Sequence, residues 1–184
     1  MSTHTPSTRS PSTRSPSTYS PQPMWLDAEE QHAWREYLRA TRMLEAMLDR
    51  DLQDQGLQLS EYEIISMLSE QPDRRLRMSE IAELVVQSRS RLTHTAGRLE
   101  KRGWVRREAC VGDRRGVELV LTDVGYAEIQ RMAPTHVDSV RRHLVAHLSR
   151  DDLLALGRAM EAISAGIRST GVCDDVSAAE GQPA

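Results

Sequence analysis

Two short helical patterns separated by only a few residues constrain the fold of this 184-residue chain more than any other feature. The first pattern places Ser79 as an N-cap and then supplies four apolar residues for a buried side, Ile81, Ala82, Leu84 and Val85. Gln87 and Ser88 form a short turn, and the second pattern carries an inward stripe of Leu92, Ala96 and Leu99. Two helices joined this closely indicate a helix-turn-helix.

The period of the pattern changes after Gly103, where the second helix ends. Residues 104–108 and 117–121 are short and β-prone, and they enclose Gly112, Asp113 and Gly116. This arrangement predicts a hairpin with a long tip, which we call the wing.

Longer helical patterns flank this unit. One begins near Asp27 and ends near Gly56, and Ser60 with Glu63 predicts a capping box for a helix that runs to Pro72. Thr122 caps a later helix that contains Pro134, and Ser149 with Asp152 opens the last helix. The chain has no Phe and 4% aromatic residues, which favours helices over sheet. The predicted fold is mainly α with a small β-hairpin.

Both ends of the chain differ from this pattern. Residues 1–24 include a repeat of Pro-Ser-Thr-Arg-Ser with almost nothing to bury, and residues 171–184 are rich in Gly, Ser, Ala and acid. We predict two disordered tails around one domain at 25–170, with a helix-turn-helix lobe at about 58–122. Neither a membrane span nor a secretory signal is evident, so a cytoplasmic location is expected. Cys110 and Cys173 show no disulfide or zinc spacing.

The charge is concentrated in one segment. The whole chain carries a net charge of −3, yet residues 89–115 hold nine basic residues against three acidic ones. A basic stripe on an acidic molecule attracts polyphosphate to one face. The alternative is a solvated charged surface.

The second helix of the pair presents side chains suited to a DNA groove. Ser90, Thr93 and His94 can donate or accept hydrogen bonds at base edges, and Arg89, Arg91 and Arg98 can hold guanine or phosphate. At the wing tip, Arg114 and Arg115 can reach a narrow minor groove, and Asp113 is expected to pair with an arginine and hold the tip. An exposed surface histidine and an ordinary polar turn are the alternatives for His94 and the tip.

The order of these motifs resembles the MarR (multiple antibiotic resistance regulator) family over roughly residues 33–167. The resemblance rests on residues 88–93, on Arg98-Leu99-Glu100-Lys101-Arg102-Gly103, on Asp113-Arg114-Arg115-Gly116 and on Leu121-Thr122-Asp123-Val124-Gly125. It implies a winged helix-turn-helix protein that binds a palindromic duplex as a homodimer, with the first and last two helices forming the dimer interface. The implied DNA-binding residues are Ser88, Arg89, Ser90, Arg91, Thr93, His94, Arg98, Arg114 and Arg115, supported in the wing by Asp113 and Gly116. His94 stands where the family often has arginine, and Gly97 where it often has a carboxylate.

Regulation by a small-molecule effector is a further implication of the resemblance. The candidates for the lining of an effector pocket are Trp34, Tyr37, Arg42 and Met67. Each of these residue types is more often a simple packing residue or a surface residue. Oxidation of Cys110 in the wing is a second possibility. A zinc site at His143 and His147, with His136 nearby, is a third possibility. Two ligands are too few for such a site, so we expect ordinary surface histidines there. No cofactor or metal is predicted.

Two other classes of function fit the sequence less well. The chain lacks paired carboxylates, a nucleophile elbow, a phosphate loop and zinc-protease spacing, so an enzyme is not expected. A winged helix used only for protein contacts predicts neutral outward faces, and the basic segment argues against it. The sequence therefore predicts a DNA-binding transcriptional regulator, with repression as the family's commoner mode.

Overall fold

The computed structural model describes residues 25–85, 88–110, 112–113 and 116–169. Six α-helices and three strands follow one another as α1 (Ala28–Gln53), α2 (Leu59–Ser69), β1 (Arg75–Arg77), α3 (Met78–Leu84), α4 (Arg89–Lys101), β2 (Val105–Ala109), β3 (Val117–Leu121), α5 (Asp123–His143) and α6 (Arg150–Ser169) within those ranges. A short 3-10 helix (Val145–His147) lies between α5 and α6. The chain divides into two units between Leu38 and Arg39. The predicted tails, residues 1–24 and 171–184, lie outside the described residues.

The core of the second unit lies between α2, α4, α5 and the strands. Its centre consists of fully buried aliphatic side chains from separate elements, among them Leu52, Ile64, Leu68, Leu99, Leu119 and Met132. Burial of each such side chain contributes about 1.5–3 kcal/mol relative to leaving it in water. Aliphatic residues therefore build this core in a chain that contains no Phe.

The sheet has three antiparallel strands in the order β1–β3–β2. The predicted hairpin is present as β2 and β3, with Val105 opposite Leu121 and Ala109 opposite Val117. The strand β1 adds a third strand, with Leu76 opposite Leu119. Sequence periodicity missed β1 because three residues are too few to display an alternating pattern.

Two of the predicted helix caps are wrong. The helix α2 begins at Leu59, where the carboxylate of Glu61 accepts a 3.0 Å hydrogen bond from the backbone N–H of Gln58, so Ser60 and Glu63 do not form the cap. A long-range contact favours this earlier start, because the backbone N–H of Leu59 donates to Asp49 Oδ1 at 2.7 Å.

The cap of α3 is displaced in the same direction. This helix begins at Met78, directly after β1, and the carboxylate of Glu80 accepts from the backbone N–H of Arg77 at 2.9 Å. Ser79 therefore lies inside the helix. The caps at Thr122 and Ser149 are confirmed, since their hydroxyls accept from the N–H groups of Gly125 and Asp152.

The last helix stands apart from this core. None of the α6 residues is fully buried, and Leu156, Ile163 and Ile167 are 37%, 48% and 50% exposed. None of the helices in the described ranges is both long enough and apolar enough to cross a bilayer.

Candidate nucleic-acid interface

The helix α4 is fixed by its buried face and by its N-cap. The predicted stripe of Leu92, Ala96 and Leu99 is buried, and Thr95 joins it at 2% exposure. The Ser88 hydroxyl accepts a 3.4 Å hydrogen bond from the backbone N–H of Arg91, which satisfies one donor of the first turn. The opposite face of α4 is therefore turned toward solvent.

The exposed face of α4 carries most of the residues predicted to contact DNA. Six of them are exposed, namely Arg89, Ser90, Arg91, Thr93, His94 and Arg98. The Thr93 hydroxyl donates to the carbonyl of Arg89 at 2.8 Å, so its oxygen is oriented as an acceptor for an outside donor. The Ser88 and Ser90 hydroxyl oxygens lie 3.4 Å apart.

Several of the predicted DNA-binding residues line an open cleft of about 520 Å³ between α4 and the start of α2. Its lining consists of hydroxyls, amides, an imidazole and two guanidinium groups, from Gln58, Ser60, Ser88, Ser90, Arg91, His94, Thr95 and Arg98. Such a lining offers hydrogen-bond donors to phosphate oxygens and to base edges.

Arg98 forms an ion pair and a hydrogen bond within the protein and is also partly exposed to solvent. Its Nε lies 2.9 Å from Glu61 Oε1, and its Nη2 donates to Gln58 Oε1 at 2.8 Å. The Glu61 side chain is only 1% exposed, whereas that of Arg98 is 44% exposed. Arg98 thus joins α4 to the start of α2 and keeps part of its guanidinium at the surface.

Two arginines that the sequence reasoning missed also hold α4 in place. Arg107 of β2 donates to the carbonyl of Thr93 at 3.0 Å and pairs with Glu100 at 2.7 Å. Arg102 donates to the carbonyl of Gly56 at 2.8 Å. Glu100 and Thr93 lie 7 and 14 residues from Arg107 in sequence. Gly56 lies 46 residues from Arg102, so only the three-dimensional fold reveals these partners.

The absence of a side chain at Gly97 is not required by packing. A Cβ atom at this position would lie 3.9 Å from Arg107 Nη2, which is ordinary van der Waals contact. Nothing in the structure explains the glycine.

The wing tip is closed by backbone hydrogen bonds and by one ion pair. The N–H of Cys110 donates to the carbonyl of Gly116 at 3.0 Å, and the N–H of Gly116 donates to the carbonyl of Asp113 at 3.2 Å. Asp113 Oδ2 lies 3.2 Å from Nη1 of Arg77, at the end of β1. Asp113 therefore pairs with an arginine, as expected, and this arginine belongs to β1 and not to the wing. The predicted minor-groove residues Arg114 and Arg115 lie outside the described residues.

Gly116 occupies a position where a side chain would collide. A Cβ atom there would lie 2.6 Å from Cys110 Sγ and 2.8 Å from Asp113 Oδ2. A substitution must therefore displace both the buried thiol and the carboxylate.

A second open cleft, of about 600 Å³, separates α4 from the wing. It is lined by three arginines, Arg77, Arg89 and Arg107, together with Ser79, Thr93, Asp113 and apolar residues. The basic groups of α4, β1 and β2 therefore converge on the side of α4 that faces the wing.

The candidate sensing residues are placed differently. Burial raises the pKa of the Cys110 thiol, which disfavours the reactive thiolate. His143 Nε2 lies 3.3 Å from Asp51 Oδ2, while the ring of His136 packs on Tyr62 with centroids 4.3 Å apart. No group of three or more metal-ligating side chains occurs within the described ranges.

The predicted effector residues lie in both units of the chain. In the first unit, the rings of Trp34 and Tyr37 stack with their centroids 5.9 Å apart. In the second unit, Arg42 is exposed on α1 and Met67 is half-buried on α2.

Comparisons with known proteins place the chain among transcriptional regulators. The sequence model of the MarR family matches residues 55–116. The regulator PecS of Dickeya dadantii is 32% identical over 117 residues, covering 63% of this chain and 70% of PecS. Two solved structures from Streptomyces coelicolor are similar at a TM-score of 0.75. Sco3205, a MarR family regulator solved in complex with DNA, is 46% identical and covers 80% of this chain and 92% of its own. AbsC, another MarR family regulator, is 44% identical and covers 80% and 99%.

Proposed function

The chain belongs to the MarR family of transcriptional regulators, and from that premise we propose that it binds a palindromic duplex as a homodimer, with α4 in the major groove and the wing in the minor groove. It is a DNA-binding transcriptional regulator with a winged helix-turn-helix fold. We propose in addition which of its residues contact the bases and which contact the backbone of the DNA.

One observation carries the proposal. The first half of α4 has a fully buried stripe on one side and five exposed polar or basic residues on the other, from Arg89 to His94. A helix of this kind can enter the major groove without exposing apolar surface, because everything it turns outward can form hydrogen bonds. In our proposal, Ser90, Thr93 and His94 read base edges, while Ser88, Arg89 and Arg91 approach the backbone.

Arg98 has a different part in this arrangement. Its ion pair with the buried Glu61 supports a role in holding α4 at a defined angle to α2. Its exposed fraction leaves the guanidinium within reach of a phosphate at the edge of the groove.

We assign the minor-groove contact to Arg114 and Arg115, with Asp113 and Gly116 shaping the turn that presents them. The compact turn closed by Cys110 and Gly116 supports this assignment, because a preorganised tip loses less conformational entropy when it binds.

Dimerisation, repression and effector release complete the proposal. The exposed apolar residues of α6 support a helical dimer interface. Repression follows if the bound dimer covers a promoter, and a reporter gene behind the chain's own promoter tests it. A small molecule that releases DNA is proposed from family membership, with Trp34, Tyr37, Arg42 and Met67 as candidate contacts. We also propose a cytoplasmic location.

We further propose that the chain is not an enzyme. A cluster of serine, histidine and aspartate on α1 and α5 supports this, because the Ser139 hydroxyl donates to Asp51 Oδ2 at 2.5 Å and His143 faces the same oxygen. The imidazole therefore does not receive the serine proton, as nucleophilic catalysis requires.

The test is a binding titration across a salt series. The purified chain and an Arg115→Ala variant are titrated onto a labelled duplex from upstream of its own coding sequence, with a shuffled duplex as control. We expect tight wild-type binding that weakens as salt rises, and binding by the variant that is weaker by about 5- to 150-fold, since a base-contacting arginine contributes on the order of 1–3 kcal/mol.

Equal binding of the two duplexes by wild type would contradict sequence-specific recognition. Failure to bind either duplex at low salt would favour a winged helix used for protein contacts.

A further inference from the structure

We propose that Arg77 is a positioning residue for the wing, and that it acts by holding Asp113 so that the tip presents its arginines to the minor groove. The inference rests on the proposed function and extends it to a residue of the edge strand β1, outside the hairpin.

The geometry of the pair links two elements that are distant in sequence. Arg77 is the last residue of β1, and Asp113 lies 36 residues later in the wing. Arg77 Nη1 donates to Asp113 Oδ2 at 3.2 Å. The pair therefore joins the tip of the hairpin to the junction between β1 and α3.

The backbone of Arg77 is itself well anchored. It lies opposite Glu118 in the β1–β3 pairing, and its N–H donates to the carboxylate of Glu80 at the start of α3. The arginine side chain therefore projects from a site that the sheet and α3 hold together. A contact from such a site limits how far the tip can swing relative to α4, which follows α3 in the helix-turn-helix.

The carboxylate end of the pair is equally constrained. The backbone carbonyl of Asp113 accepts from the N–H of Gly116, and the backbone N–H of Asp113 donates to the carbonyl of Cys110 at 3.3 Å. Its Oδ2 lies only 2.8 Å from the position that a Cβ on Gly116 would occupy. The glycine thus leaves room for the carboxylate on the side that faces Arg77. Arg114 and Arg115 follow Asp113 directly in the sequence.

A direct phosphate contact is the competing role for Arg77. Its side chain is 45% exposed and shares a cleft with Arg89 and Arg107. The two roles differ in their dependence on the wing arginines. A positioning residue acts through them, whereas a phosphate contact is independent of them.

The experiment is a double-mutant cycle in DNA affinity. The labelled upstream duplex is titrated with wild type, Arg77→Ala, an Arg114→Ala/Arg115→Ala variant, and the combination of all three changes. We expect Arg77→Ala to weaken binding by about three- to fivefold in the wild-type background, as for a partly exposed ion pair, and by less than about 1.5-fold when the wing arginines are absent.

Two matched variants exclude trivial causes. Asp113→Asn removes the same ion pair from the wing side and should give the same loss as Arg77→Ala. Arg106→Ala removes an exposed arginine of β2 that pairs with Glu108 at 2.6 Å, and it should leave affinity within about twofold at constant salt. The urea unfolding midpoint of each variant is measured to show that it is folded.

The results distinguish a failure of this inference from a failure of the proposed function. Equal losses from Arg77→Ala in both backgrounds, or no loss from Asp113→Asn, would overturn the positioning role while leaving the proposed function intact. Absence of DNA binding by wild type would overturn the proposed function and this inference with it.

Discussion

Glu61 is the residue on which the orientation of α4 depends most. It is a carboxylate with 1% exposure, and burial of an unpaired carboxylate is costly. Three donors compensate for this burial, namely Arg98 Nε at 2.9 Å, the backbone N–H of Gln58 at 3.0 Å and, more distantly, Arg102 at 3.9 Å. One side chain therefore caps α2 and anchors two arginines of α4.

We expect Glu61→Gln to lower the free energy of unfolding by about 1–3 kcal/mol, because a neutral amide cannot satisfy two guanidinium groups and a backbone donor equally well. Urea unfolding measures the loss. The matched control is Glu80→Gln, since Glu80 is exposed and accepts the corresponding bond at the start of α3. Equal losses for the two variants would show that capping alone accounts for the effect.

At the scale of elements, α5 contacts α1 and α2 through ionisable side chains whose pKa values are shifted. The Ser139 hydroxyl, followed by Arg142 and His143, lowers the pKa of the Asp51 carboxyl on α1. Burial against Tyr62 of α2 lowers the pKa of His136, whose Nδ1 atom is buried without a hydrogen-bond partner. The contacts of α5 with α1 and α2 therefore include two groups, Asp51 of α1 and His136 of α5, that respond to acid at different pH values.

We expect stability to fall as the pH drops below 6.5, the ordinary pKa of histidine. In that window the unfolded chain takes up a proton on His136 while the folded chain resists it, so acid favours unfolding. Asp51 adds nothing there, because its stabilisation is lost only below its ordinary pKa of 3.8. The measurement compares urea unfolding at about pH 7.5 and pH 5.5, on either side of the ordinary histidine pKa.

A His136→Gln variant should lose part of this pH dependence. His147→Gln is the control, because His147 is exposed. The explanation is wrong if both variants retain the wild-type difference between the two pH values.

At the scale of the whole molecule, the proposed dimer depends on apolar surface that one chain leaves uncovered. Leu156, Ile163 and Ile167 recur on one side of α6 and are each more than a third exposed. Such a stripe is stable in water when a second helical surface covers it.

We expect Ile163→Asp to shift the chain from dimer to monomer and to weaken DNA binding by at least about tenfold, because a charge buried in an apolar interface costs several kcal/mol. Sedimentation velocity gives the oligomeric state. Arg158→Asp changes the opposite side of α6 and should remain dimeric. A monomeric wild type, or a dimeric Ile163→Asp variant, would contradict this interface.

Local sequence was sufficient for much of the fold and for part of the site. The stripe of α4 and the Thr122 cap depend on residues within one or two turns of each other, so spacing alone predicted them. The sequence placed Ser88 only in the turn before α4, and its role as the cap came from the structure. The fold class and the family assignment from the order of motifs are confirmed. The DNA-contacting role of each residue stays a prediction.

Tertiary structure decided which charged groups meet. Arg98 was predicted only as an outward DNA contact, and its ion pair crosses 37 residues to Glu61. The pairing of Arg77 with Asp113 requires β1, a strand stabilised by its pairing with β3 and too short to recognise in sequence. Periodicity reports which face of an element is buried, but the partner of a charged side chain depends on how separate elements pack, and that is set by the fold as a whole.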